Sequence, residues 1–344
     1  MTLHKMFTDN MVLQANKPVR IFGQGSGVAK VRFCGKTYIV CTQNDAWEIA
    51  MPPMPYGGPY DMEVTLNGVT QTLKNVMLGE VILCAGQSNM QFAVKEEIID
   101  PSYVFEAYPA MRTFVQERIS PYEGIKSENG WVVCDKKTLG DWSAIGYHVA
   151  RLLYEKKGIA VGIIGCYQGA SIIESWIKET LISAPAYHVP KHLRRFNETH
   201  PAYKERSLWN VYGKLYREVF AKILPYAVGS IVWYQGESNS SVAESEMYPA
   251  WLKLLADSWR ADLRDPSIPF VIMQIATYDG IKEGWAEIQE AQARAVSMIE
   301  NARFVETKDV SETDNIHPID KRIVSERVYN VLFEGEASCK KSAS

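Results

Sequence analysis

Four stretches of the chain, residues 81–85, 159–165, 230–234 and 270–275, are continuously apolar instead of alternating. A strand reads this way when both faces of its sheet are covered, as in a parallel sheet between layers of helices. Helical stripes lie between these runs. Ile145, Val149, Leu152 and Leu153 share one face, with Ser143 placed to cap the start and Lys156, Lys157 and Gly158 to end it. Trp251, Leu254, Leu255 and Trp259 form a second stripe, and Ile288, Ala295 and Ile299 a third. From about Val76 onward the alternation therefore predicts right-handed βαβ units in a three-layer α/β domain. Sites in such sheets form at the carboxyl ends of the strands.

The first seventy-odd residues have another texture. Short β-rich stretches at 19–22, 30–33, 37–40 and 61–66 are separated by turn residues, notably at 23–27 and 52–59. This predicts a small antiparallel β domain. The expected division is a small β domain over 1–76, the α/β domain over 77–335 and a tail over 336–344. Residues 98–141, broken by Pro101, Pro109 and Pro121, read as the longest irregular region.

A chain of 344 residues, 47% of them hydrophobic, can bury a full core without disulfides. With a net charge of −3 and no basic block, nucleic acid is not an expected partner. No run is apolar enough for a membrane span, and MTLHKMFTDNMVLQ lacks a secretory core. The six cysteines (34, 41, 84, 134, 166 and 339) form no CxxC pair, and Cys84 and Cys166 sit in apolar runs as buried thiols. A reducing cytoplasm is the expected compartment.

Three clusters carry chemistry. Gly86-Gln87-Ser88-Asn89-Met90 follows a predicted strand, where a glycine permits a tight turn and a serine can face a cleft. It is not G-x-S-x-G, so the α/β-hydrolase elbow does not fit. A serine here could equally cap the helix that follows. In Asp314-Asn315-Ile316-His317-Pro318 the aspartate could orient the imidazole, with Pro318 opening a helix. For a lone D-x-x-H, an unpartnered surface pair is the commoner explanation. Trp233-Tyr234-Gln235-Gly236-Glu237-Ser238-Asn239 closes another strand with side-chain amides suited to an oxyanion, as does the backbone of Gly165-Cys166-Tyr167-Gln168-Gly169-Ala170. Strand-end turns use the same residue types.

GQSNM, WYQGESN and DNIHP, in this order, resemble the sialate O-acetylesterase family of the SGNH (GDSL-type) hydrolases. The likeness extends to Asp9–Gln14, Gly57–Tyr60, Leu78–Val81, Asp141–Tyr147, Ile173–Trp176 and Leu224–Ala227, about nine-tenths of the chain in all. It implies a flavodoxin-like SGNH domain behind a small β domain. Ser88 would be the nucleophile, His317 the base and Asp314 its acid. The oxyanion would be held by the N–H groups of Ser88 and Gly169 and by the Gln235 amide, with Asn239 as rival. Gln87, Asn89, Glu237 and Asn239 would line or organise the sugar site. No metal or organic cofactor is required. Gln168-Gly169-Ala170 and Leu215-Tyr216-Arg217 depart from the family's usual Gly-Gly-Thr and Leu-Tyr-Asn.

The function implied is hydrolysis of acetyl esters on sugars, with sialate as the leading substrate. Acetylated xylan or mannan oligosaccharides, a lipid or thioester substrate, and a non-catalytic glycan-binding role are the competing readings. A metal at His188, His192 and His200 is disfavoured by Pro190 between the first two. Trp131, Trp142, Tyr187 and Trp209 could stack on a sugar, although core packing is the commoner role for any one aromatic. A homo-oligomer is compatible with the sequence.

Overall fold

The computed structural model describes residues 2–99, 103–121, 123–281 and 283–335. The expected tail, Pro101 and Cys339 lie outside them. The element that organises the rest is an 18-residue strand, β1 (Val69–Gly86). Asn67 and Gly68, with φ of 50° and 80°, make the two-residue turn that folds Gly57–Leu66 back onto it. The first half of β1 pairs with Gly57–Leu66 and with Val12–Gln14. Its second half lies inside the parallel sheet. The strand thus runs without a break across residue 76, the expected boundary.

Apart from Val12–Gln14, which runs parallel to β1, the N-terminal strands pair antiparallel, as their punctuation predicts. Thr2–Leu3, Val19–Gln24 and Ala46–Met51 make a three-stranded sheet, and Val28–Phe33 pairs with Lys36–Cys41 and Gly57–Leu66. Strict alternation in Val28–Phe33 sends Ala29, Val31 and Phe33 inward.

The remaining parallel strands are β2 (Met111–Val115), β3 (Val161–Tyr167), β4 (Ser230–Tyr234), β5 (Phe270–Met273) and β6 (Ala302–Val305), in spatial order β2-β3-β1-β4-β5-β6. An edge strand, Val132–Val133, pairs antiparallel with β2. Alternate residues of β1 feed two cores: Val81, Leu83 and Ala85 face one side, Ile82 and Cys84 the other. The helices of interest are α1 (Ser88–Gln91), α2 (Ala144–Lys157), α3 (Val242–Leu263), α4 (Trp285–Ala295) and α5 (Arg322–Phe333). Helices α3 and α4 close the first core, and α2 and α5 the second. Ser143 caps α2 through Gly146 N–H, and Gly158 ends it in the left-handed conformation. In the first core Trp259 stacks on Phe220 at 3.8 Å between ring centroids and donates to Trp176 O. Trp131, Trp142 and Trp209 are buried too, which is the packing role.

Two expectations change. Strand β2 lies within the stretch read as irregular. Arg112 and Thr113 interrupt its apolar pattern, yet all five residues are buried, because the guanidinium donates to Asn10 O, Asn75 O and Asn75 Oδ1. Pro318 does not open a helix: it is buried in a loop, and α5 starts at Arg322. No described helix is long and apolar enough to cross a membrane.

Candidate active site

The loops after β1, β3 and β4 and the segment before α5 converge at one end of the sheet, around its central strand. Gly86 ends β1 at φ +138°, and a Cβ there would sit 2.1 Å from Tyr234 O. Only glycine lets the chain pass so close to β4 and turn at once into α1. Gln87 N–H donates to that same Tyr234 O. Ser88 is the first residue of the helix and does not cap it. Its Oγ lies 2.8 Å from His317 Nε2.

These two residues sit in a cleft of about 330 Å³. Gly169, Arg195, His200 and Arg206 also line it, with Gln87 and Glu237 on the strand-end side. Burial, followed by the Lys321 ammonium, lowers the His317 pKa below its ordinary value, while Glu96 opposes the shift. A depressed imidazole stays unprotonated into mildly acidic solution, which is the state that can accept a serine proton.

The structure brings Ser88, His317 and Gly169 together but separates them from four other expected residues. Asp314 is exposed and makes no hydrogen bond to His317. Asn315 Oδ1 accepts the backbone N–H of His317, an Asx turn, and Asp314 sits on the exposed side of this loop. Gln235 is fully buried, and its Nε2 is spent on Ser171 O and Asn239 Oδ1 at 2.9 Å each. Asn239 is buried as well, with Nδ2 donating to Glu174 and Glu244. Both amides are therefore engaged with protein acceptors in this structure. Asn89 is also fully buried, out of reach of a sugar. Its Nδ2 donates to Glu237 Oε1 at 2.6 Å and Ile316 O at 3.0 Å. Glu237 lines the cleft, and burial raises its pKa.

Residues 78–322 match the family described as carbohydrate esterase, sialic acid-specific acetylesterase. The chain belongs to this family. Among relatives of the family, the human sialate O-acetylesterase is 26% identical over 87% of this chain. The mouse protein of the same name is 25% identical over 94% of it. The chain spans 64% of the length of the human relative and 71% of the mouse one. A solved structure, a carbohydrate acetylesterase from Xanthomonas citri, superposes with a TM-score of 0.82 at 24% identity, covering 97% of this chain and 76% of that one. That likeness supports the fold.

Three features of this esterase-family cleft were not singled out from the sequence. Gln91, one helical turn after Ser88, accepts the Gly169 N–H at 3.0 Å through its Oε1. Its i,i+3 spacing from the serine was the available signal. Arg195 and Arg206 line the cleft from a stretch rich in Arg, His and Asn. Lys321, four residues after His317, is 1% exposed and gave no signal, since a lysine at a helix start is ordinarily solvated.

Proposed function

We propose that this protein hydrolyses acetyl esters of an acidic sugar of the sialic acid type, with Ser88 as nucleophile and His317 as base. The observation that carries the reaction is the 2.8 Å contact between Ser88 Oγ and His317 Nε2 in an open cleft. Ser88 attacks the acetyl carbonyl as His317 takes its proton. The tetrahedral oxyanion is met by the N–H of Ser88, which has no acceptor among the described residues, and by that of Gly169. Gln91 Oε1 occupies the Gly169 N–H in the free enzyme and yields it to the oxyanion. The imidazolium then protonates the departing sugar hydroxyl, and water, activated by the same histidine, releases acetate and restores Ser88.

The acidic sugar is favoured over a neutral plant oligosaccharide by the wall facing the nucleophile. Neither the Arg195 nor the Arg206 guanidinium has a carboxylate partner among the described residues. Both, with burial as the largest cause, depress the pKa of His200 between them in the cleft. Two unpaired guanidiniums suit a sugar carboxylate. A charge-assisted bond contributes about 1.5–3 kcal/mol, and the exposure of Arg195 argues for the low end. Arg195→Ala and Arg206→Ala are each expected to lower kcat/KM about tenfold on 9-O-acetyl sialate and to leave a neutral aryl acetate unaffected. Equal losses on both substrates, or faster wild-type turnover of acetylated xylan oligosaccharides, would move the reading to a neutral sugar.

A further inference from the structure

Behind the Ser88–His317 pair lies a buried ammonium that the reaction sketched above does not use. Lys321 Nζ donates to Asn89 Oδ1 at 2.7 Å and lies 4.8 Å from the centroid of the Phe92 ring, which also flanks His317. No carboxylate comes within ion-pair distance of it among the described residues. Asn89 in turn holds Glu237 and the carbonyl of Ile316, the residue before His317. One amide therefore ties together the helix bearing Ser88, the loop bearing His317, the end of β4 and Lys321. An ammonium with a single described acceptor is an expensive thing to bury, and a methionine would fill the volume at lower cost.

We propose that Lys321 is a positioning residue for His317: through Asn89 it fixes the His317 loop against Ser88, with its ammonium and the imidazole on the same Phe92 ring. The proposal rests on Ser88 and His317 being the catalytic pair. The charged and titratable groups facing Lys321 are Glu237 after β4, Glu96 and Glu97 in the turn after α1, Glu312 in the loop, and His317. Glu97 accepts the Lys321 backbone N–H and also holds His148 of α2. Burial brings the lysine pKa down to about 7, against the pull of these carboxylates. The charge is thus present below neutrality, where His317 would otherwise be protonated, and fades above it, where the imidazole is neutral unaided. With Asp314 turned to solvent, this inner brace holds the backbone of the His317 loop beside Ser88.

The test compares wild type, Lys321→Met and Lys321→Gln, each checked for folding by thermal melting, in pH profiles of kcat/KM on a chromogenic acetate. Met removes both the charge and the donor; Gln keeps a donor for Asn89 without the charge. In both variants the acid limb is expected to move to higher pH. At pH 8 only Lys321→Met should lose about tenfold in kcat with little change in KM, the scale of a slightly misplaced catalytic group. A second measurement follows the His317 imidazole by NMR titration in Ser88→Ala protein, with and without Lys321→Gln, and should show the histidine titrating at higher pH when the charge is gone. Acid limbs and titrations that coincide with wild type overturn the role of Lys321 alone. Absence of acetate release by wild type overturns the catalytic pair, and any role of Lys321 in its catalysis with it.

Discussion

Ser88→Ala protein should fold normally and release acetate from sialate or aryl esters at least ~10⁴-fold more slowly than wild type. The serine is partly exposed at the mouth of the cleft, and its hydroxyl makes one described hydrogen bond, to His317, so no core packing is lost with it. In the proposed reaction its removal deletes the atom that forms the acetyl-enzyme, and water held in its place lacks the fixed geometry of a side chain on α1. Acetate assays and a melting curve on the same sample check both halves. A mutant within tenfold of wild type would mean that the ester is attacked by another group, and the assignment of the cleft would fall.

His317→Ala should cost about as much, because the two residues act as one unit. The informative comparison is with Asp314→Asn. In serine hydrolases whose acid grips the base, the amide change costs about 10⁴-fold. Here Asp314 is exposed and unbonded to His317, so the expected loss is below about tenfold. Steady-state kinetics on the two variants decide it. A collapse of activity in Asp314→Asn would show that the loop closes on substrate binding and brings the carboxylate onto the ring.

The large outline of this molecule could be read from residue order because it depends on features with a fixed period. Unbroken apolar runs predicted the last part of β1 together with β3, β4 and β5, and the helical stripe with Ser143 and Gly158 placed α2 almost to the residue. Strand β2 escaped because buried Arg112 looks like a surface residue until the carbonyls that satisfy it are known. The site divides along similar lines. Ser88, Gly169 and His317 belong to segments that meet at one cleft, and motif order pointed to all three. Asp314 and the amides of Gln235 and Asn239 depend on which way a side chain points, and one Asx turn or one buried neighbour reverses that. Lys321 was invisible for the opposite reason: its burial is created by α1, β4 and the His317 loop together, three elements far apart in the chain.

The unbroken course of β1 has a consequence for how the polypeptide assembles. Its first half zips onto Gly57–Leu66 across a two-residue turn, a contact between near neighbours in sequence. Its second half waits for β3 and β4, whose partner residues lie some eighty and a hundred and fifty positions downstream. Closing such long loops is slower than closing a hairpin. The N-terminal hairpin can therefore be in place on a growing chain before the rest of the sheet exists, offering a half-finished strand for it to add to. Pulse-labelling hydrogen exchange during refolding should find amides of 57–66 protected ahead of those of 161–167, and the reverse order would refute it. On this view the residues ahead of Ser88 act as a built-in starting edge, and the Gly86–Ser88 turn follows the last stretch of a strand whose beginning is already anchored.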